Sequence, residues 1–204
     1  EAYKKYGLNV VAIADRHLDR AEGRRDQFFP QAIATDRVEA LIGDPAIKVL
    51  DLTLHPRDRA PLMRRALEAG QHVLSQKPFV HELSAGRELV ELAEANGLQL
   101  AVNQNGRWAP HLSYMREAVA AGLVGQVTGV HVSIQWDHSW IAGTPFEKID
   151  QIVLEDFAIH WFDFLASVIG DTARTVYATG TRAEDQKVAS RLLAQALVDY
   201  PGGQ

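Results

Sequence analysis

The chain has 204 residues, of which 47% are hydrophobic, and a formal net charge of −5. This length allows one large domain or two small ones, and the acidic balance argues against a nucleic-acid-binding protein, which normally carries a basic face. The absence of cysteine excludes disulfides, thiolate metal sites and thiol nucleophiles. No apolar run reaches the roughly 18 to 20 residues that span a bilayer. We therefore expect a cytoplasmic protein, with an export signal upstream of Glu1 left open.

The first half of the chain alternates strand and helix patterns with short connections. Apolar, β-branched runs predict strands at residues 8–15, 33–35, 47–54, 72–75 and 98–103. Helical patterns lie at residues 21–29, 36–42, 59–69 and 82–95, and Gly70 and Gly97 follow two of them as stop signals. This alternation predicts a parallel sheet with helices on its faces.

The pattern changes after Asn103. A helix at 111–121 precedes an alternating strand at 126–136 and an irregular stretch at 137–150. A helix around Asp156, strands at 174–181 and 192–200, and a turn at 201–203 follow. We expect an α/β protein with two domains, 1–105 and 106–204, the second being an α+β domain with a mostly antiparallel open sheet.

Both ends of the chain are predicted to be incomplete. Residues 1–6 look like the tail of a helix stopped by Gly7, and the chain ends in a hairpin turn. Asp15 closes the first strand, and an acid in that place binds the adenosine ribose in dinucleotide-binding folds, about 20 residues after a glycine-rich loop. That loop would precede Glu1, so we expect the strands at 8–15 and 47–54 to be unpaired on facing edges. The alternative is that Asp15 merely caps the turn into the next helix.

Two short segments carry candidate chemistry. The run LEDFAIHWFD places Asp156 and His160 four residues apart in a helical pattern, which puts both on one helix face. A carboxylate and an imidazole aimed at one point suit an orienting group and a general base. The run SQKPF places Lys77 at the end of a strand, where α/β sheets bind ligands.

Five segments in order resemble the glucose–fructose oxidoreductase/inositol dehydrogenase (Gfo/Idh/MocA) family. HVLSQKPFV resembles its HVLCEKP motif, and Asp156, His160 and Asp163 match its D-x-x-x-H-x-x-D helix. VVAIADR and VLDLTLHP look like its second and fourth Rossmann strands, and LAVNQNGRWAP is similar to its interdomain linker. The resemblance implies an N-terminal Rossmann-type domain that lacks its first strand and glycine-rich loop. Gln76 and Ala158 depart from the family, which usually has Glu and commonly Gly there.

The resemblance implies an enzyme in its full-length form that uses NAD or NADP to oxidise a sugar or polyol hydroxyl, or to run the reverse reduction. Lys77, Asp156 and His160 would be catalytic, and Asp15 favours NAD because a carboxylate repels a 2′-phosphate. The implied cofactor-binding residues are Asp15, Arg16, Thr53, His55, Pro56, Gln76, Lys77 and Gln104. The implied substrate-binding residues are Lys77, Arg107, Trp108, Asp156 and His160. No metal, membrane or nucleic-acid partner is expected, and the full-length form is expected to be a homo-oligomer.

Alternatives remain open at this stage. The loss of Glu at position 76 would suit a non-catalytic, ligand-binding relative, and Asp156 with His160 could belong to a metal-dependent lyase or hydrolase. Arg107 and Trp108 could instead clamp the linker, and Asp163 is expected to be a structural partner. Trp136, His138 and Trp140 would suit either a sugar face or simple packing.

Overall fold

The computed structural model describes residues 1–202, and it divides into two compact units, of which the second begins at Gln104. The predicted α/β fold class is confirmed. The helices are α1 (Ala2–Lys5), α2 (Leu18–Phe28), α3 (Pro56–Glu68), α4 (Leu83–Ala95), α5 (Pro110–Ala120) and α6 (Ile159–Ile169). The strands are β1 (Ala12–Ala14), β2 (Ile33–Thr35), β3 (Val49–Leu52), β4 (His72–Gln76), β5 (Leu100–Asn103), β6 (Thr175–Thr181) and β7 (Leu193–Asp199).

The first unit contains two parallel sheets. β1 pairs with β2, while β3, β4 and β5 form a three-stranded sheet in that order. No ladder joins β1 to β3 among residues 1–202, so each strand lacks a ladder partner on one side, as the sequence predicts. An unpaired edge exposes backbone donors and acceptors and is a site for pairing with other chains.

One apolar core holds the three-stranded sheet to α3 and α4. Leu50, Leu52 and Val73 from the strands pack with Met63 and Leu67 of α3, and Leu89 of α4 joins them. The alternating burial of β3 and β4 sends every second side chain into this core.

Gln71 ties the loop before β3 to this core. Its Nε2 donates to the carbonyls of Leu41 and Ile47 at 2.9 and 3.0 Å, and its Oε1 accepts from the Gly43 N–H at 3.0 Å. A buried amide is tolerated because its partners are satisfied. The loop is thus fixed without regular structure.

Several predicted boundaries change for local reasons. α3 begins at Pro56 rather than Arg59, because proline at the first helical position needs no N–H partner. The helix predicted at 36–42 is a single 3₁₀ turn, Val38–Ala40. The short helix before Gly7 is confirmed, and Gly7 takes a left-handed φ of 67°. Within the described residues the terminal turn is seen at Pro201 and Gly202, while Gly203 lies outside them.

In the second unit β6 and β7 form the predicted antiparallel pair, from Thr175 opposite Asp199 to Thr181 opposite Leu193. The strand predicted at 126–136 is wrong: the segment has no regular structure, and most of its residues are exposed. Alternating hydrophobicity indicates a strand's faces, but a strand also needs a neighbour for its backbone groups. Within the described residues β6 and β7 pair only with each other.

Candidate functional site

The first group of predicted site residues follows the carboxyl ends of strands in the first unit. Thr53 follows β3, Gln76 ends β4 and Lys77 comes next. Because β3, β4 and β5 are parallel, with Leu52 opposite Ser75 and Gln76 opposite Asn103, these ends share one edge of the sheet. Ligands of open α/β sheets bind at that edge. His55 and Pro56 continue from the same edge into α3.

Asp15 comes directly after β1, and its side chain shapes the next turn. Its Oδ1 accepts a hydrogen bond from the His17 N–H at 2.9 Å, the contact that the turn-capping interpretation requires. This bond uses one carboxylate oxygen, and a carboxylate has two. The capping role therefore leaves acceptor capacity for a ribose hydroxyl. Arg16 beside it is exposed.

Gln76 holds the backbone of Lys77. Its Oε1 accepts from the Lys77 N–H at 3.1 Å, and its carbonyl accepts from the Ser75 hydroxyl at 3.1 Å. A glutamate at position 76 could accept the same bond, so the amide keeps this contact and leaves its Nε2 as a donor. Lys77 itself is half-buried.

Asp156 and His160 lie in the second unit, on two successive kinds of helix. Asp156 belongs to a π turn, Val153–Phe157, and His160 belongs to α6. The Ala158 N–H donates to the Val153 carbonyl at 2.7 Å, five residues back, which widens the turn. π turns within helices are frequent at functional sites. Both side chains are half-buried, and their convergence on one point stays a prediction.

A glycine packs directly on the His160 side chain. A Cβ built on Gly106 would lie 3.1 Å from His160 Nδ1, 3.4 Å from its Cβ and 3.5 Å from its Cγ. Gly106 belongs to a 3₁₀ turn, Asn105–Trp108. The missing side chain therefore lets this turn lie against the imidazole.

Arg107 locks the same turn to α6. Its Nε donates to Asp163 Oδ2 at 2.7 Å and its Nη2 to Asp163 Oδ1 at 2.5 Å. This bidentate hydrogen bond raises the pKa of the Arg107 guanidinium above its ordinary value. Asp163 therefore has the structural role expected from the sequence, and the contact supports a clamp at Arg107. A substrate contact by Arg107 stays a prediction.

The remaining predicted residues near this turn differ in exposure. Trp108 is 68% exposed, and the Arg116 guanidinium carbon lies 5.1 Å from its ring centroid. Gln104 is half-buried, and among the described residues its Oε1 is enclosed without a hydrogen-bond partner. A buried amide oxygen without a donor is a costly feature that a ligand N–H or O–H would relieve.

Aromatic rings surround Phe157 at the end of the π turn. The Trp136 and His138 rings each contact Phe157 with centroids 5.2 and 5.0 Å away, and Trp161 lies 6.4 Å away. His138 is buried, whereas Trp136 is 61% exposed. The cluster fixes the π turn by packing and leaves one indole open to solvent.

A cavity of about 330 Å³ lies in the second unit between β7, α6 and the extended segment before His138. Val130, Val132, Ile134 and Trp136 line one of its sides. His131 lines it as well, and Val132, Ile134 and Trp136 are 39%, 43% and 61% exposed, so the alternation of this segment does not define a buried face. Asp156 and His160 do not line this cavity.

No group of three or more His, Asp or Glu side chains among residues 1–202 is arranged to hold a metal ion. No helix in that range is long and apolar enough to cross a membrane.

Sequence profiles match both halves of the chain. One described as "Oxidoreductase family, NAD-binding Rossmann fold" (GFO_IDH_MocA) matches residues 2–104, and one described as "GFO/IDH/MocA C-terminal domain" matches residues 112–204.

Individual relatives are more distant. D-apiose dehydrogenase of Paraburkholderia graminis is 25% identical over 198 residues, which cover 97% of this chain and 52% of that protein. Trans-1,2-dihydrobenzene-1,2-diol dehydrogenase of Mus musculus is 29% identical over 197 residues, which cover 95% and 57%. The chain thus spans just over half the length of these relatives.

The fold is shared with solved structures. Scyllo-inositol dehydrogenase from Lactobacillus casei, crystallised with NAD(H) and scyllo-inositol, aligns with a TM-score of 0.83 at 16% identity. The alignment covers 96% of this chain and 59% of that one.

Proposed function

Because this chain belongs to the Gfo/Idh/MocA oxidoreductase family, we propose that the complete protein transfers a hydride between a nicotinamide cofactor and a hydroxyl-bearing carbon of a sugar or polyol. The observation that carries the proposal is the placement of the motif residues. Lys77 follows a parallel strand at the ligand-binding edge, and His160 is held on α6 against Gly106. When bound, the nicotinamide supplies the hydride acceptor or donor.

His160 is the proton acceptor in this proposal. Hydride loss from carbon requires the hydroxyl proton to leave, and an imidazole takes up a proton near neutral pH. The backbone at Gly106 limits the positions open to the ring. Asp156 would bind a substrate hydroxyl beside it.

Lys77 stabilises the alkoxide charge that develops as the proton leaves. An ammonium placed beside the oxygen lowers the barrier electrostatically. Its main chain is held by the Gln76 side chain, which accepts a hydrogen bond from the Lys77 N–H. Arg107 and Trp108 are proposed to bind the substrate.

The residues present fit part of a dinucleotide. Asp15 keeps acceptor capacity for a ribose, and Arg16, Thr53, His55, Pro56, Gln76 and Gln104 are proposed to contact the cofactor. The enclosed Oε1 of Gln104 is an acceptor that suits an amide or hydroxyl donor. We favour NAD over NADP because the Asp15 carboxylate would repel a 2′-phosphate.

The substrate class rests on the relatives. Their names specify an apiose, a cyclic diol and an inositol, all hydroxylated carbon compounds. A sugar or polyol substrate and a homo-oligomeric, cytoplasmic full-length protein complete the proposal. The exposed indole of Trp136 offers an apolar surface for a sugar face, but packing explains its ring contacts equally well.

A substrate screen tests the proposal. The protein from the complete reading frame that contains these residues would be assayed for nicotinamide reduction with NAD and with NADP against pentoses, inositols and cyclic diols. We expect turnover with at least one polyol, preferentially with NAD. Lys77→Ala should abolish most of it. Absence of turnover with both cofactors, despite cofactor binding, would favour the non-catalytic alternative.

A further inference from the structure

A fully buried arginine lies behind the lysine of the proposed site. Arg59, in the first turn of α3, has no exposed surface. Removing a guanidinium from water costs several kcal/mol unless hydrogen bonds compensate. Its Nη1 donates to the Lys77 carbonyl at 3.5 Å, and its Nη2 donates to the Pro78 carbonyl.

These two carbonyls follow the end of β4 at Gln76, so no strand ladder satisfies them. A planar guanidinium presents its donors as a rigid fork, and here the fork meets two successive carbonyls. The Lys77 N–H is held separately by Gln76 Oε1. Side chains therefore fix the main chain on both sides of the Lys77 Cα atom.

We propose that Arg59 is a positioning residue for Lys77. By donating hydrogen bonds to two successive carbonyls, it fixes the position of the Lys77 Cα atom and the direction of its side chain. The inference rests on the proposed function of Lys77. A lysine side chain has four rotatable carbons, so its reach is set by its Cα position and direction. A displacement of about 1 Å at a reacting group costs up to about 10²-fold in rate.

The same helix provides a matched control. Arg65 also lies on α3, but it is exposed and donates to Glu39 at 3.1 Å. Its loss removes an arginine from α3 without touching the Lys77 segment. Surface pairs of this kind contribute little to stability.

The test is a double-mutant cycle in the protein from the complete reading frame, with NAD and the polyol found in the screen. Arg59→Lys keeps the charge but loses the fork, and Arg59→Gln keeps a planar amide donor in case the lysine variant does not fold. We expect Arg59→Lys to lower kcat about 10- to 100-fold, with KM and the NAD Kd changed less than about threefold. Arg65→Met should retain wild-type turnover. In a Lys77→Ala background, Arg59→Lys should have almost no further effect, because residues that act as a unit are non-additive.

The outcomes separate the two claims. Wild-type turnover in Lys77→Ala would overturn the proposed role of Lys77 and this inference with it. If Lys77→Ala loses turnover while both Arg59 variants keep wild-type turnover, only the inference falls. An equal loss from Arg59→Lys with and without Lys77 would also overturn it, because a purely structural arginine acts independently of the lysine.

Discussion

His160 depends on a neighbour that has no side chain. A methyl group on Gly106 would meet its Nδ1 at 3.1 Å, closer than ordinary van der Waals contact between heavy atoms. We expect Gly106→Ala to lower kcat about 10- to 100-fold by displacing the imidazole, with the NAD Kd unchanged. Gly129→Ala is the control, since a Cβ there meets nothing within 4 Å. Equal kinetics for the two variants would show that the ring does not need the space.

His160→Ala tests the general base directly. Removing such a group costs about 10²- to 10⁴-fold in kcat, and we expect cofactor affinity to change little. The pH profile of kcat/KM should lose its acidic limb in the variant, because the imidazole must be neutral to accept a proton. Turnover equal to wild type across the pH range would remove His160 from the mechanism.

Tyr3 makes the stability of the first unit depend on pH in the alkaline range. Burial, together with its hydrogen bond to Asp51 Oδ2 at 2.6 Å, raises the pKa of Tyr3 to about 12. The neutral phenol is favoured in the folded state, so this stabilisation is complete below the ordinary tyrosine pKa near 10 and is lost as pH rises through about 12. Tyr3→Phe should therefore flatten the fall in stability over that range, measured by urea unfolding.

Tyr6→Phe is the matched control for Tyr3, because Tyr6 is 73% exposed on the same short segment. Its alkaline stability profile should follow the wild type. A similar flattening in both variants would mean that general charge repulsion, rather than the Tyr3–Asp51 contact, governs alkaline unfolding.

At the residue scale the sequence indicates candidate catalytic residues, but not the residues that contact them. Asp156 and His160 are candidates because their residue types and spacing suit proton transfer, and Lys77 is a candidate because it follows a strand end in a family motif. The sequence does not indicate Arg59, because an arginine at the start of a charged helix resembles a solvent-exposed one. Its burial arises from packing against the distant Lys77 segment. The sequence does not indicate Gly106 either, because only the folded chain shows that it lies against His160.

At the scale of elements, short turns position the candidate groups. The 3₁₀ turn Asn105–Trp108 is held to α6 by Arg107 and Asp163, and the π turn Val153–Phe157 precedes His160. The sequence predicted one continuous helix across Asp156 and His160 because the π turn has no distinctive residue pattern. The predicted strand at 126–136 failed for a different reason: periodicity gives a face, and pairing depends on which other strands are available.

The Arg107–Asp163 clamp gives a prediction at this scale. Asp163 is the less exposed partner and the contact is bidentate. Because hydrogen bonds to charged groups contribute about 1.5–3 kcal/mol, we expect Arg107→Met to lower unfolding free energy by about that amount. Asp163→Asn should do the same, and the double variant should be less destabilised than the sum. Urea unfolding of all four proteins measures the coupling.

The antiparallel hairpin supplies the control pair. Arg174 Nε donates to Asp199 Oδ2 at 3.0 Å, with 58% and 42% of the two side chains exposed. Exposed pairs couple by about 0.2–1 kcal/mol, so Arg174→Met should cost clearly less than Arg107→Met. Comparable costs would mean that the turn is held to α6 by packing and not by the ion pair.

At the scale of the whole molecule, the fold class followed from strand–helix order because parallel β–α units leave a strong pattern in sequence. The gap between β1 and β3 was also predictable, from the position of Asp15 in the chain. Substrate identity was not, because loop conformations such as that of residues 137–150 depend on packing. That loop forms two 3₁₀ turns, Ser139–Ile141 and Pro145–Lys148, and Ile141 and Phe146 pack in a cluster with the distant Val188.

Residues 1–204 alone are expected to bind the cofactor weakly. The pyrophosphate of a dinucleotide is normally held by a glycine-rich turn and the helix N-terminus that follows it. These 204 residues contain no G-x-G-x-x-G run, and β1 and β3 belong to separate sheets. In the proposed function Asp15 and Lys77 would contact only the ribose and nicotinamide ends. We therefore expect NAD binding by this chain to be weaker than millimolar.

Calorimetric titration of the chain beside the protein from the complete reading frame measures the difference. Asp15→Asn in the longer protein is the informative variant. It should weaken NAD binding and narrow the preference over NADP, because the carboxylate that repels a 2′-phosphate is gone. The capping bond to the His17 N–H should survive, since an amide oxygen also accepts it. Micromolar NAD binding by residues 1–204 would place the cofactor elsewhere, and unchanged cofactor preference in Asp15→Asn would remove Asp15 from the ribose site.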